Sequence, residues 1–300
     1  RADGGRSDGA SADADAAPRV PRAARAPDAA YHAVAGVDPA QLSLDLALPD
    51  AAPVAEAAGR PLVVYVHGGG WRAGDKRNGI VPKRLWAHGE GWAIATVNYR
   101  LSPEDATRRE PGRVTWPVHA DDVARAVDWL LERADDYCLD VRRVALVGFS
   151  AGANLAASVG NVPRHLELTG RTPGELACAV ILDTGVVDDE FIAGLAAESL
   201  DVYLNAFTDD PATWAAMSPR DAVDAGRPRP SQLVLTRGRA FRQDVNASFV
   251  DALRAAGARA ELVRVPELSH AEVNASLGDP DDARITPPVT AFLRDCFDAR

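Results

Sequence analysis

The sequence has few cysteines and no metal or redox motif built from them. Cys138, Cys178 and Cys296 lie far apart along the chain, whereas zinc sites and redox motifs use close pairs. We expect these thiols to be buried or incidental, with one disulfide at most. The His-Glu-x-x-His pattern and the glycine-lysine phosphate loop are also absent from the sequence. A metal or nucleotide cofactor is therefore not indicated.

The sequence also lacks an excess of positive charge and any long apolar run. It has 33 Lys and Arg against 43 Asp and Glu, a formal net charge of −10, and its basic residues form no cluster that would suit a phosphate backbone. Its apolar runs, such as residues 62–66 and 144–147, are much shorter than the roughly 20 residues that cross a bilayer. We therefore expect neither a nucleic-acid partner nor stable membrane insertion, and the oligomeric state stays open.

The first 27 residues contain almost nothing to bury. They are mainly Ala, Asp, Arg, Gly, Ser and Pro, a composition that cannot offset the entropy lost on ordering. We predict a disordered tail over residues 1–27 and a single catalytic domain over residues 28–300. The tail is either a tether left after removal of a signal peptide or the start of a cytoplasmic enzyme. Of the two we favour a secreted or cell-envelope location.

Buried strands alternate with amphipathic helices through the rest of the chain. Continuous apolar runs predict strands at residues 61–66, 92–97, 144–149, 176–182, 232–236 and 261–265. Helical spacing predicts helices within 121–134, 245–256 and 289–297, and strict alternation predicts an edge strand at 42–48. This order predicts an α/β fold with a mostly parallel sheet flanked by helices, and ligands at the carboxyl ends of the strands. The irregular segment 188–229 is predicted to be an inserted lid or substrate wall.

A glycine-flanked serine follows one of these strands. Gly148-Phe149-Ser150-Ala151-Gly152 lies where the strand meets a helix, and the sharp turn that exposes a serine there leaves no room for flanking side chains. The positive end of the helix dipole also favours a developing oxyanion. The pattern predicts a nucleophilic serine, although a glycine-rich turn around a serine can also be purely structural.

A second glycine cluster, His67-Gly68-Gly69-Gly70-Trp71, follows an earlier strand. Glycines let the backbone approach a substrate and direct several N–H groups at one point, as an oxyanion hole requires. We expect the N–H groups of Gly69, Gly70 and Ala151 to form that hole. The alternative is a flexible connection between strand and helix.

The two glycine motifs, with the sequence Asn-Tyr-Arg-Leu-Ser-Pro at 98–103 between them, resemble one protein family. This is the esterase and lipase branch of the α/β-hydrolases, which includes the hormone-sensitive-lipase-like carboxylesterases; the kynurenine formamidases share much of the pattern. The resemblance spans residues 42–297. It implies the α/β-hydrolase fold, a triad in the order serine, acid, histidine, and hydrolysis through an acyl-enzyme.

The resemblance also implies where the other two triad members lie. In this fold the base follows the last strand, and His270 is the histidine in that place. The acid commonly follows the strand at 232–236, where Asp244 is the first carboxylate; it could equally cap a helix. Asp183, after the preceding strand, is the second candidate. We rank Asp244 first.

The expected function is that of a serine carboxylesterase acting on small, short-chain esters. Ser150 would attack the carbonyl, and His270 would transfer the proton to the leaving alcohol. The alternatives are a kynurenine formamidase-like amide hydrolase and a binding protein that kept the fold but lost the reaction.

Overall fold

A computed structural model describes residues 21, 23–49, 59–103, 110, 112–185, 187–195 and 197–300. Most of the tail predicted at residues 1–27 lies outside this description. The last three residues of that tail are described, and they belong to a strand that spans residues 25–30. The predicted tail boundary was therefore wrong by a few residues.

The strands are β1 (Arg25–Ala30), β2 (Ser43–Ala47), β3 (Arg60–Val66), β4 (Ala93–Val97), β5 (Leu139–Phe149), β6 (Cys178–Leu182), β7 (Ser231–Thr236) and β8 (Ala260–Arg264). The helices are α1 (Ile80–Gly89), α2 (Val118–Glu132), α3 (Ala151–Asn161), α4 (Arg164–Glu167), α5 (Asp189–Ala193), α6 (Ala197–Phe207), α7 (Pro211–Met217), α8 (Ala240–Ala255), α9 (His270–Ser276) and α10 (Thr286–Asp298). Short 3-10 helices occupy Pro39–Leu42 and Pro173–Glu175.

The described strands form one sheet in the order β1-β2-β4-β3-β5-β6-β7-β8. β1 pairs antiparallel with β2 and β2 antiparallel with β4, whereas every pair from β4 to β8 is parallel. The predicted α/β fold with a mostly parallel sheet is confirmed. The edge position predicted for residues 42–48 was wrong, because β1 covers that side of β2.

Alternate residues of each central strand point into two hydrophobic clusters, one on each face of the sheet. Leu62, Val64 and Val66 of β3 join the cluster beneath α2, α3 and α8. Val63 and Tyr65 join the cluster beneath α1 and α10. Because both faces are covered, a continuous apolar run is the pattern that such a strand needs.

The predicted insertion at residues 188–229 contains α5, α6 and α7. Its large apolar side chains turn inward, since Phe191, Leu204 and Phe207 are each less than a tenth exposed. Trp71, from the second glycine cluster, packs edge-on against Phe207 at 4.8 Å and against Tyr203 at 5.9 Å between ring centroids. The segment therefore lies against the glycine loop at the carboxyl ends of the strands.

Candidate active site

Ser150 lies in a strained turn between β5 and α3. Its φ of 56° is in the left-handed region, which few non-glycine residues adopt. A Cβ on Gly148 would come within 2.0 Å of the Gly152 carbonyl oxygen, and one on Gly152 within 2.2 Å of the Val66 carbonyl oxygen. Both flanking positions therefore require glycine, as predicted from the motif. The Ser150 N–H donates to the Leu182 carbonyl at 2.9 Å, which ties the turn to the end of β6.

His270 is the first residue of α9, six positions after β8 ends at Arg264. Its Nε2 lies 2.8 Å from Ser150 Oγ. A reciprocal capping box between Ser269 and Glu272 fixes the start of the helix. The imidazole also packs against the Phe149 ring, with the centroids 4.6 Å apart. The ring is thereby held at hydrogen-bonding distance from the serine, as a general base requires.

The carboxylate beside His270 is that of Asp183, not that of Asp244. Asp183 Oδ2 lies 2.5 Å from His270 Nδ1, and the Asp183 side chain is fully buried. Asp244 is exposed on α8 and forms no hydrogen bond to His270. The ranking of the two candidate acids is corrected by this geometry. Asp183 directly follows β6, which pairs with β5, the strand that ends beside Ser150, so its carboxylate lies at the same edge of the sheet as the serine.

Two arginines occupy the place where the sequence suggested the acid. Arg237 Nε donates to Asp183 Oδ2 at 2.5 Å. Arg242 donates through Nε at 3.1 Å and through one terminal nitrogen at 2.8 Å to Asp183 Oδ1. Sequence reasoning missed both residues. The available signal was the cluster of three arginines at 237–242, directly after β7.

These contacts keep Asp183 ionised. Burial alone would raise the pKa of its carboxyl group, but the hydrogen bond from His270 and the positive charge of Arg242 outweigh burial, so that the pKa lies below its usual value. A charged Asp183 can hold the His270 Nδ1–H and stabilise an imidazolium.

The glycine loop after β3 brings backbone donors to the serine. Gly70 and Ala151 line the cavity above Ser150, whereas Gly69 is not among its lining residues. A Cβ on Gly69, whose φ is 118°, would come within 1.9 Å of the Ala73 carbonyl oxygen. Among the residues that the structure describes, the N–H groups of Gly69, Gly70 and Ala151 have no acceptor. These groups are available to an oxyanion.

The Asn-Tyr-Arg-Leu-Ser-Pro sequence at residues 98–103 holds the glycine loop in place. Asn98 accepts from the Lys76 N–H at 2.6 Å and donates to Asp75 at 3.0 Å. The Tyr99 ring stacks on His67 at 4.6 Å between centroids. Ser102 N–H donates to the Trp71 carbonyl at 2.8 Å. The loop is thus fixed at both ends, which preorganises its N–H groups.

The remaining buried histidines have structural partners. Burial lowers the pKa of His119 to about 3, and its Nε2 lies 2.9 Å from Ser102 Oγ. Burial also lowers the pKa of His165, although its Nδ1 contacts Asp121 at 2.6 Å. Burial likewise lowers the pKa of His67, whose Nδ1 lies 2.7 Å from the Gly68 carbonyl oxygen. Each of the three is therefore held neutral within the fold.

The serine opens into a cavity of about 240 Å³. Its walls come from the glycine loop, from α6 through Val202 and Tyr203, and from Arg237 and Arg242. Within the described part of the chain, no cluster of three His, Cys, Asp or Glu side chains could hold a metal ion, and all three cysteines are free and buried. No described helix is both long enough and apolar enough to cross a membrane.

Several known proteins with a similar sequence or fold are esterases by name. The BD-FAE family model matches residues 44–193 of this chain. Carboxylesterase NlhH from Mycobacterium tuberculosis is 30% identical over 251 residues, with 78% of this chain and 73% of that protein covered. An arylesterase from Saccharolobus solfataricus is 29% identical over 258 residues, covering 79% of this chain and 75% of that protein. The inhibited Esterase B from Lactobacillus rhamnosis superposes with a TM-score of 0.71 at 22% identity, covering 92% of this chain and 86% of that chain.

Proposed function

Since this chain belongs to the esterase and lipase branch of the α/β-hydrolases and is a serine carboxylesterase, we propose that it hydrolyses small carboxylic esters through an acyl-enzyme on Ser150. The observation that carries the assignment of residues is the chain of contacts from Ser150 Oγ through His270 to Asp183, at 2.8 Å and 2.5 Å. A nucleophile, a base within hydrogen-bonding reach of it, and a group that orients the base form the arrangement needed for acyl transfer.

In the proposed mechanism, Ser150 Oγ attacks the ester carbonyl while His270 Nε2 takes its proton. The N–H groups of Gly70 and Ala151, with that of Gly69, donate to the oxyanion. His270 then returns the proton to the leaving alcohol, and the same steps with water release the acid. Asp183 remains ionised throughout and stabilises the imidazolium.

The size and surface of the site favour small esters over lipids. A cavity of about 240 Å³ is smaller than the pockets of about 300–1,000 Å³ that enclose drug-sized ligands. The insertion buries Phe191, Leu204 and Phe207, and three carboxylates are exposed on it, those of Asp201, Asp209 and Asp210. A lipase surface would instead expose a contiguous apolar patch, and exposed carboxylates oppose adsorption to an anionic membrane. We therefore propose acyl groups of short chain length as the preferred substrates.

The two alternative functions, a binding protein without activity and a formamide hydrolase, are less well supported than ester hydrolysis. A binding protein without activity would have no need of a buried carboxylate aligned with His270. A formamide hydrolase remains the competing enzyme, because Asp183 supplies the oriented acid that protonation of a leaving amine demands. Small soluble esters are favoured over formamides because an activated ester is the better acyl donor.

The test compares kcat/KM on 4-nitrophenyl butyrate, 4-nitrophenyl palmitate and N-formylkynurenine. We expect the butyrate value to be the highest. A higher formamide value would make the protein an amide hydrolase, and a palmitate preference would make it a lipase. Labelling with a fluorophosphonate should modify Ser150 in the wild type and leave Ser150→Ala unlabelled; labelling of another residue would contradict the assignment of the nucleophile.

A further inference from the structure

Three arginines, Arg237, Arg239 and Arg242, follow β7 at and next to the catalytic cavity; we call them the arginine cluster. Arg237 and Arg242 line the catalytic cavity and also a second, adjoining cavity of about 540 Å³, which Arg239 lines as well. Among the described residues that line these two cavities, Asp183 is the only carboxylate. Positive charge therefore exceeds negative charge here, although the chain as a whole carries −10.

Asp183 does not use all the donors of the arginine cluster. Arg242 directs Nε and a terminal nitrogen at Asp183. Arg237 uses only Nε, and its two terminal nitrogens have no acceptor in the part of the chain that the structure describes. Its side chain is 24% exposed. Arg239 is exposed and has no ion-pair partner within the same described residues. The free edge of the Arg237 guanidinium is thus a donor pair beside the reacting groups.

The second cavity adds an apolar wall to this charge. The rings of Phe191 and Phe241 stack with centroids 6.1 Å apart and planes 8° from parallel, and Leu195 lines the same cavity. Phe241 is 47% exposed, so that part of its ring is accessible to a bound molecule. A guanidinium matches a carboxylate through two parallel N–H donors. The second cavity can therefore bind an anionic group through its arginines and contact, through its apolar wall, a short aliphatic or aromatic spacer between that group and the ester.

We infer that the preferred substrates are esters that carry a carboxylate at their far end, and that Arg237 binds this carboxylate. The inference rests on the proposed esterase function and names its substrate class. Arg237 is then a residue that determines specificity, whereas Arg242, which donates three hydrogen bonds to Asp183, positions the triad acid.

The test uses two pairs of esters that differ by one charge. Hydrogen 4-nitrophenyl adipate and methyl 4-nitrophenyl adipate place the charge on the acyl side; 4-acetoxybenzoate and its methyl ester place it on the leaving-group side. In the wild type we expect kcat/KM for the charged ester to exceed that for the neutral ester about tenfold in at least one pair, and Arg237→Gln to remove most of that ratio. Arg237→Lys should restore part of it, because lysine keeps the charge but not the planar fork.

The ratio of kcat/KM for the charged ester to kcat/KM for the neutral ester separates substrate binding from damage to the triad. Arg237→Gln also removes a hydrogen bond to Asp183, but that loss affects both esters of a pair alike. Arg142→Gln is the matched control, since Arg142 is 63% exposed near the amino end of β5, the strand whose other end carries Ser150. This control should leave the ratio unchanged.

Three results would overturn the inference: no preference for either charged ester, a preference that survives Arg237→Gln, or an equal loss in Arg142→Gln. If the wild type hydrolyses the neutral esters without a preference, only this inference fails. If it hydrolyses none of the four, the proposed function itself fails.

Discussion

At the scale of single residues, Ser150 combines an exposed hydroxyl with a backbone conformation that the surrounding turn imposes. Ser150→Ala should reduce ester hydrolysis by several orders of magnitude while the melting temperature stays nearly unchanged, because the hydroxyl lies in the cavity and not in the core. His270→Ala should cost about as much. The double variant should be no worse than either single variant, since nucleophile and base act as one unit. Additive losses in kcat would contradict this coupling.

Asp183 adopts a left-handed conformation, with a φ of 57°, that asparagine also tolerates. Asp183→Asn is therefore a conservative test of the acid. We expect kcat to fall by roughly 10⁴, the loss seen when a triad base is left in the wrong tautomer. Asp244→Asn, on the exposed surface of α8, is the control and should change kcat less than twofold. Melting curves of both variants exclude unfolding as the cause. A loss below tenfold in Asp183→Asn would remove this residue from the mechanism.

Lys83 on α1 is a buried cation without a carboxylate partner among the described residues. It is 2% exposed and donates to the carbonyls of Gly79 and Asn274. Burial lowers its pKa to about 8, against about 10.4 in an unfolded chain. Between these values the unfolded chain binds a proton that the folded chain does not, so the free energy of unfolding rises with pH across this window.

Lys83→Met should remove that pH dependence. The free energy of unfolding of the variant relative to the wild type should fall by about 3 kcal/mol between pH 7 and pH 11, as the penalty for the buried charge disappears from the wild type. Urea unfolding at several pH values measures this difference. Arg84→Met on the same helix is the control, because it also replaces a basic side chain by methionine but leaves Lys83 in place. A constant difference for Lys83→Met would show that the ammonium group stays charged.

At the scale of elements, β1 is an edge strand held by side chains as well as by its ladder to β2. Lys76 donates to Asp28 at 2.6 Å, and Arg77 binds the same carboxylate at 2.7 Å. Just after β1, the Tyr31 hydroxyl donates to the Asn98 carbonyl at 2.8 Å. This strand therefore braces the Asp75-Lys76 segment that supports the glycine loop.

Removal of residues 1–30 should accordingly destabilise the protein, whereas removal of residues 1–20, which are poor in apolar side chains, should not. Each kcal/mol lost should lower the melting temperature by about 2–4 °C in a chain of this size. Scanning calorimetry of the two truncations makes the comparison. Equal melting temperatures would show that β1 contributes nothing to stability.

Sequence reasoning found the strands and helices in which apolar side chains occupy the buried positions. The inner parts of β3, β5 and β7, residues 62–66, 144–147 and 233–235, are continuous apolar runs because both faces of the sheet are covered. β1 was missed because Ala, Pro and Asp give no strand signal, and its pairing comes from backbone groups. α1 was missed because its buried positions are Lys83 and Ala87 and do not form an apolar stripe.

The same reasoning named Ser150 and His270 by motif and by order along the chain, and the structure brings these two side chains together, but it ranked Asp244 above Asp183, which is the carboxylate that contacts His270. Order along the chain does not reveal which strand ends are neighbours in space. Asp183 and Arg237 belong to adjacent strands, β6 and β7, that are separated by the whole insertion. A contact of this kind can be identified only once the order of the strands in the sheet is known.

At the scale of the whole molecule, the glycine loop and the proposed triad residues all follow the carboxyl ends of parallel strands. The glycine loop follows β3, Ser150 follows β5, Asp183 follows β6, and His270 comes after β8. Because parallel strands place these ends along a single edge, the loops can change without disturbing the two hydrophobic clusters. We therefore expect the insertion and the arginine cluster to be the parts of this fold that set substrate choice.

The distance between Ser150 and His270 along the chain has a consequence for how the protein is made. The two residues are 120 positions apart, and β8 must join β7 before α9 can present the imidazole to the serine. A nascent chain that has left the ribosome only as far as β7 can form the nucleophile turn but lacks His270. Contacts between such distant residues are slow to form. We therefore expect the protein to be inactive during its own translation until β8 has paired with β7 and α9 has formed.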